Sequence, residues 1–100
     1  MSKQLNEVDP IFVNIPCPKK DEAIKLCGEL LKRDLCGTAK IYENVHLMYT
    51  DTEGVQGDDV VIITLKTVKK NLANIHEFIL KNHSWGTPCI EVVPIISDMC

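Results

Sequence analysis

The chain has 100 residues, 45% of them hydrophobic and 25% charged, which is the size and composition of one globular domain and excludes a disordered chain. The formal net charge is −3, and no basic block occurs, so nucleic acid is not an expected partner. No apolar run approaches the roughly 20 residues that span a bilayer, and no signal-peptide pattern is visible. These features predict a cytoplasmic protein without a membrane partner.

The cysteines of the chain suggest neither a zinc knuckle nor disulfide bonds. The five cysteines are Cys17, Cys27, Cys36, Cys89 and Cys100. No two of them form a CxxC pair, which disfavours a zinc knuckle. In a reducing compartment they are expected to be free thiols and not disulfides.

The first half of the chain predicts a strand followed by a helix. Residues 1–9 are polar and are expected to form a flexible N-terminal tail, with the domain covering residues 10–100. Residues 11–15 are a compact apolar run, typical of a buried strand, and the prolines at 16 and 18 end it. Residues 19–35 then show apolar positions at three- and four-residue steps, which predicts a helix that stops by Gly37.

Residues 39–66 predict a long β-hairpin. Strict alternation over residues 39–50 places Ala39, Ile41, Val45, Leu47 and Tyr49 on one face of a strand. Residues 51–59 are polar and contain two glycines, so a loop is expected there. Residues 60–66 form the most apolar strand of the chain.

The last part of the chain predicts a second helix and a final strand. Thr67 is a suitable N-cap for a helix that runs to about residue 82. Residues 85–88 are expected to form a turn, and residues 89–96 a strand.

The order β-α-β-β-α-β predicts an α+β domain of ferredoxin-like topology. In this fold a four-stranded antiparallel sheet carries both helices on one face. The apolar strands 11–15 and 60–66 belong in the middle and strand 39–50 at an edge. A flavodoxin-like parallel sheet is the alternative, and it is disfavoured because a hairpin, not a helix, joins the second and third strands.

The strand over residues 39–50, with about 12 residues, is also twice the typical length of a strand, and its exposed apolar row predicts oligomerisation.

Several segments, in order, resemble the CutA family of divalent-cation tolerance proteins over about residues 11–95. Pro18 stands at the proline of the family's Thr-Ala-Pro-Asp segment, and residues 35–40 stand over Leu-Ala-Ala-Cys-Val-Asn. Tyr49 falls on the tyrosine of Tyr-x-Trp-x-Gly-Lys. Residues 66–67 match a Lys-Thr pair that closes the third strand. Residues 83–88 stand over His-Pro-Tyr-x-x-Pro, and a closing proline also matches.

This resemblance implies a ferredoxin-like, PII-like homotrimer, and the chain departs from the family pattern at defined positions. Thr38 replaces the family cysteine, Asp51 replaces the tryptophan and Cys89 replaces a glutamate. Glu43 and Asn44 replace a Pro-Gly bulge, and asparagine also adopts the left-handed conformation.

His83 is the candidate metal ligand, because it is the one soft-metal residue that falls on a family motif. Imidazole binds copper and zinc, and Cys36 or Cys89, from the same or a neighbouring subunit, could add a thiolate. The alternative is a structural role, in which His83 only ends a helix, where a cation is favourable. Lys66, Tyr49 and Trp85 are candidates for lining a cleft, with Lys66 facing a small anionic ligand, although each also suits a purely structural role.

No catalytic motif is present, so an enzyme is not expected. The resemblance implies a homotrimeric protein that binds copper or zinc in response to metal, with no obligatory cofactor. The alternative is a PII-like small-molecule sensor or a protein-interaction scaffold.

Overall fold

The architecture of the domain is that of a split βαβ sandwich. The computed structural model describes residues 5–97. Residues 1–4, the start of the predicted tail, and residues 98–100, the end of the predicted domain with Cys100, lie outside the described residues. The elements are β1 (Pro10–Cys17), α1 (Lys20–Lys32), β2 (Thr38–Asp51), β3 (Gly54–Val68), a 3-10 turn (Lys69–Asn71), α2 (Leu72–Asn82) and β4 (Glu91–Pro94). None of the helices in this described part is long and apolar enough to cross a membrane.

The sheet has the strand order β2-β3-β1-β4, and every neighbouring pair is antiparallel. The ferredoxin-like fold is therefore confirmed, and the parallel alternative is wrong. The two apolar strands lie in the centre and the alternating strand at an edge, as the sequence predicts.

One face of the two central strands forms the core. Along β1 every second residue is fully buried, from Ile11 to Cys17. The same alternation continues in β3, where Ile63 and Leu65 have no exposed surface. These side chains form one cluster with the apolar stripes of both helices: Ala23, Leu26, Cys27 and Leu30 of α1, and Ile75, Phe78 and Ile79 of α2. Both helices thus cover the same side of the sheet.

The hairpin differs from its prediction at the tip. The loop expected over residues 51–59 is almost entirely strand, because β3 begins at Gly54 and only residues 52–53 separate it from β2. Polar side chains such as Asp58 and Asp59 face solvent there while their backbones pair with β2. A Cβ at Gly57 would lie 2.7 Å from the His46 ring nitrogen Nε2, so the His46 ring lies close over this glycine. Hydrophobicity alone missed this strand because exposed strand pairing needs no apolar side chain.

A β-bulge divides β2 into two halves. The register with β3 shifts between Tyr42 and Val45, and Asn44 adopts a left-handed φ of 60°, which asparagine accommodates better than most residues. Because a one-residue shift turns side chains to the other face, the single apolar face predicted for β2 is wrong. Ala39 and Ile41 face the helices, whereas Val45 pairs with Val60 on the opposite side.

The side of the sheet that the helices leave uncovered is called the open face. Cross-strand partners share a face, so the register assigns the following apolar residues to it: Pro10, Phe12, Pro16, Tyr42, Val45, Leu47, Tyr49, Val60, Ile62, Val68 and Val93. Among the described residues no helix packs against this side in the core cluster.

The segments around the helices also differ from expectation. α1 ends at Lys32, earlier than predicted, because Asp34 adopts a left-handed φ of 58°, and the Leu35 amide donates to the carbonyl of Leu30. Thr67 is not an N-cap; its hydroxyl donates to the Leu35 carbonyl at 2.6 Å. β4 has only four residues, and Pro94, its last, has no amide hydrogen with which to extend the ladder.

The segment over residues 5–9 lies against the start of the second helix. The amides of Lys69 and Lys70 donate to the carbonyls of Asp9 and Glu7, at 3.1 and 2.7 Å, and Leu5 packs against the core. These carbonyls satisfy donors that a helix start leaves open. The predicted flexibility of the tail stays a prediction.

Replacing Ile63 by aspartate is expected to prevent folding. Ile63 is fully buried in the central strand, and an unpaired buried carboxylate costs several kcal/mol, comparable to the roughly 5–15 kcal/mol stability of a small domain. Circular dichroism and urea denaturation measure the effect. The matched control is Ile24→Asp, since Ile24 on α1 is 49% exposed and should tolerate the change. A folded Ile63→Asp variant with native stability would show that the core is misplaced.

Candidate metal centre

Three potential ligand atoms meet where β1 ends. Cys17 is the last residue of β1, Glu22 lies in the first turn of α1, and His83 follows directly after α2. One nitrogen, one sulfur and one oxygen from these residues all lie within 4.8 Å of one another. We call these three residues the CEH cluster.

His83 is held by hydrogen bonds at both ring nitrogens. Its side chain is fully buried, and Nε2 lies 2.7 Å from the carbonyl oxygen of Pro16. A carbonyl only accepts, so this contact assigns the proton to Nε2. Nδ1 in turn accepts a hydrogen bond from the Trp85 amide at 3.0 Å. The ring is therefore a neutral imidazole that ties the end of α2 to the end of β1.

The Cys17 thiol lies beside the imidazole and is protonated at neutral pH. Its sulfur is 3.5 Å from Nε2 of His83. Burial, with smaller effects from Glu22 and Cys27, raises the pKa of this thiol to about 12. A thiol in this state is a weak nucleophile and must lose its proton before it can bind a metal.

Glu22 supplies the negative charge of the cluster. Partial burial raises the pKa of its carboxyl group, but hydrogen bonds from Ser84 and the neighbouring His83 outweigh that effect, so the pKa lies below its ordinary value. One carboxylate oxygen accepts from the Ser84 amide at 3.1 Å and lies 3.6 Å from Nδ1 of His83. Glu22 is therefore ionised and oriented towards the imidazole.

The donor set fits a copper or zinc ion chemically. Imidazole nitrogen and thiolate sulfur are the ligands these ions select, and neutral imidazole is the form that binds. Binding has a cost here, because Cys17 must lose its proton and His83 must give up both of its hydrogen bonds. A metal at Nε2 would replace the bond to the Pro16 carbonyl, and Nδ1, which would then carry the proton, could no longer accept from the Trp85 amide. Without metal the same residues act as a structural clamp between three elements.

The other two predicted metal ligands lie apart from His83. Cys36 is buried near the opposite end of β1, beside Pro10 and Lys66, and Cys89 is exposed. Within the described residues of one chain, neither belongs to a cluster with His83. Their contribution from a neighbouring subunit stays a prediction.

The three cleft candidates occupy different places. Trp85 is 45% exposed and lies over the CEH cluster, with its ring centroid 5.4 Å from that of His83. Lys66 lines the groove that contains Cys36. Tyr49 lies on the hairpin, where its hydroxyl donates to Asp58 at 2.7 Å; this hydrogen bond raises the pKa of Tyr49.

Sequence reasoning missed Cys17 and Glu22. The alternation of β1 carries a usable signal, because Cys17 follows Ile15 by two residues and so shares its buried face. The first turn of α1 must also lie close to the end of β1, since only two residues separate the elements. What the pattern could not supply is the approach of His83, which depends on how α2 packs.

Comparisons with known proteins agree with this fold. A family model described as CutA1 divalent ion tolerance protein matches residues 11–98. A curated relative from Arabidopsis thaliana, "Protein CutA, chloroplastic", is 23% identical over 95 residues, which cover 95% of this chain and 52% of the relative. The chain thus spans about half the length of that relative.

Solved structures of similar fold come from several different organisms. CutA1 from Oryza sativa superimposes with a TM-score of 0.87 at 24% identity, covering 93% of this chain and 85% of the Oryza chain. CutA from Pyrococcus horikoshii gives a TM-score of 0.81 at 25% identity, covering 89% and 87%. The divalent cation tolerance protein of Thermus thermophilus gives 0.85 at 20% identity, covering 90% and 87%.

Thiol alkylation should separate the exposed from the buried cysteines. Cys89 is exposed and should react rapidly with iodoacetamide at pH 8, whereas Cys17 should react only on unfolding, because its pKa of about 12 leaves almost no thiolate. Peptide mass spectrometry after timed quenching measures both rates, with Cys27 as a second buried reference. Equal labelling of Cys17 and Cys89 in the native protein would contradict the clamp described above.

Proposed function

Since this chain belongs to the CutA1 divalent ion tolerance family, we propose that it is a homotrimeric protein that binds a copper or zinc ion through Cys17 and His83. The observation that carries the proposal is the convergence of a nitrogen, a sulfur and an oxygen donor within 4.8 Å at the end of β1.

The geometry favours different roles for the three residues of the CEH cluster. The Cys17 sulfur and Nε2 of His83 are 3.5 Å apart, so one ion could contact both. Glu22 lies nearer Nδ1, at 3.6 Å, which suits a carboxylate that accepts the remaining imidazole proton and orients the ring. Glu22 is thus proposed as a supporting partner and not as a ligand.

The proposal involves binding without catalysis. The protonated, buried thiol of Cys17 is a poor nucleophile. The imidazole of His83 is a poor general base, because both of its nitrogens are already hydrogen-bonded. We therefore propose that the protein is not an enzyme and needs no obligatory cofactor. The predicted cytoplasmic location stays a prediction; the printed name of the plant relative assigns that relative to the chloroplast.

The open face supports the proposed trimer. It carries apolar residues from all four strands, and Tyr42, Leu47 and Tyr49 of this set remain 38–48% exposed in the single chain. An apolar sheet surface of this extent is a typical association surface and a liability for a monomer. Covering it with copies of the same chain removes the exposed area without any other partner.

Zinc binding is expected to depend on His83 and to increase with pH. Removing a ligand should weaken binding by at least about 10-fold. Affinity should rise by about tenfold per pH unit between pH 6 and 8, since Cys17, whose pKa is about 12, must release one proton for each ion bound. Isothermal titration with zinc, comparing His83→Ala with the parent protein, measures both effects.

Two controls make the zinc experiment specific. His76→Ala changes an exposed histidine of α2 and should leave affinity unchanged. With cobalt as a spectroscopic probe, Cys17→Ser should abolish the thiolate charge-transfer band, whereas Cys89→Ser should not. Equal zinc affinity in the two histidine variants contradicts the proposed site, and loss of the band in Cys89→Ser alone would favour the ligand set predicted from the sequence.

Sedimentation equilibrium is expected to give a mass of about three times 11.2 kDa. Leu47→Asp places a charge on the open face and should dissociate the trimer, because an unpaired charge is expensive in an apolar interface. Leu80→Asp is the matched control: Leu80 lies on α2 and is 40% exposed, against 38% for Leu47. A stable monomer at micromolar concentration, or equal dissociation of both variants, would refute the proposed assembly.

A further inference from the structure

One line of residues across the open face is polar on all four strands. The register pairs Lys40 of β2 with Thr64 of β3. It pairs Asn14 of β1 with Thr64 on one side and with Glu91 of β4 on the other. Asn14 alternates with the buried residues of β1, so the whole line lies on the open face. We call these four residues the polar row.

Apolar side chains lie on both sides of the polar row. The neighbouring row on one side consists of Tyr42, Ile62 and Pro16. The row on the other side has Phe12 and Val93 on β1 and β4, with polar residues on the two hairpin strands. Any surface that covers these apolar side chains must therefore cover the polar row as well.

The middle of the polar row is only partly satisfied by the chain itself. The Thr64 hydroxyl donates to Oδ1 of Asn14 at 2.7 Å, whereas the side-chain nitrogen Nδ2 of Asn14 has no hydrogen-bond partner within residues 5–97. Both residues are half-buried, and water reaches this nitrogen in the single chain. Closing the open face removes that water, so the covering surface must supply a polar partner.

The two ends of the polar row carry opposite charges. Lys40 lies on one edge strand and Glu91 on the other, and both are exposed. Three strand spacings separate them, about 14 Å, which is too far for a contact within one chain. In the described part of the chain neither residue forms an ion pair. Each charge is therefore available to a second molecule.

A second copy of the chain has the complementary charges. A cyclic trimer joins its copies head to tail, so that one side of each copy meets the opposite side of the next. In a ring whose axis runs along the strands, the β2 end of one polar row lies at the same height as the β4 end of the next. Every such junction then brings a lysine and a glutamate together.

We propose that Lys40 of each copy contacts Glu91 of the next copy, and that this contact sets the order and height at which the copies meet. The inference rests on the trimer proposed above and names residues that determine its arrangement. The polar row is thus a site that one chain leaves incomplete and a neighbouring chain completes.

Charge reversal in the full chain tests this contact by sedimentation equilibrium. Lys40→Glu and Glu91→Lys each place like charges together at every junction. An exposed ion pair changes affinity by up to about fivefold, so three junctions should raise the dissociation constant of the trimer by about a hundredfold. The double variant Lys40→Glu/Glu91→Lys restores unlike charges and should recover the parent value.

Lys25→Glu is the matched control, because it makes the same change of net charge on the exposed side of α1 and should leave the trimer unchanged. Circular dichroism verifies that each variant is folded. A monomeric parent protein would refute the assembly itself. A trimeric parent that tolerates both single reversals, a double variant no stronger than the single ones, or equal weakening by Lys25→Glu would overturn the Lys40–Glu91 contact and leave the trimer standing.

Discussion

The burial of one face of β1 against both helices is the constraint on which the other features depend. Every second side chain of this strand, from Ile11 to Cys17, lies in the core, so the helices must pack on that side and leave the other side open. The last buried residue of the strand then comes to rest where α1 begins and α2 ends. The position of Cys17 beside His83 is thus a consequence of core packing.

In the CEH cluster the atoms that form a structural contact are also the donors of the proposed metal site. Both ring nitrogens of His83 are hydrogen-bonded to backbone groups, those of Pro16 and Trp85. Among the described residues no buried polar side-chain atom lacks a partner, so burying this imidazole leaves no polar atom unpaired, and its hydrogen bonds stabilise the junction of β1 and α2. A metal must compete with these bonds and with the proton on Cys17. At the proposed site, weak binding at low pH and a strong pH dependence would both follow from that competition.

The bulge at Glu43 and Asn44 decides which face of the sheet the side chains in the second half of β2 occupy. By changing the register between β2 and β3, it moves Val45, Leu47 and Tyr49 to the open face, next to Val60 and Ile62. Without the bulge these side chains would lie on the helix side, beyond the reach of both helices. A one-residue irregularity therefore joins the apolar surface of the hairpin to that of the central strands.

The sequence by itself determined the order of elements, the two central strands and the edge position of β2, because local periodicity and the length of each connection act at short range. It also indicated His83 as the candidate ligand through the family motif. The partners of that residue, Cys17 and Glu22, were decided only by the tertiary structure, since they approach it across more than 60 positions of the chain. The two faces of β2 and the strand over residues 54–59 were likewise decided by cross-strand pairing, which depends on backbone register and not on the hydrophobicity of either strand alone.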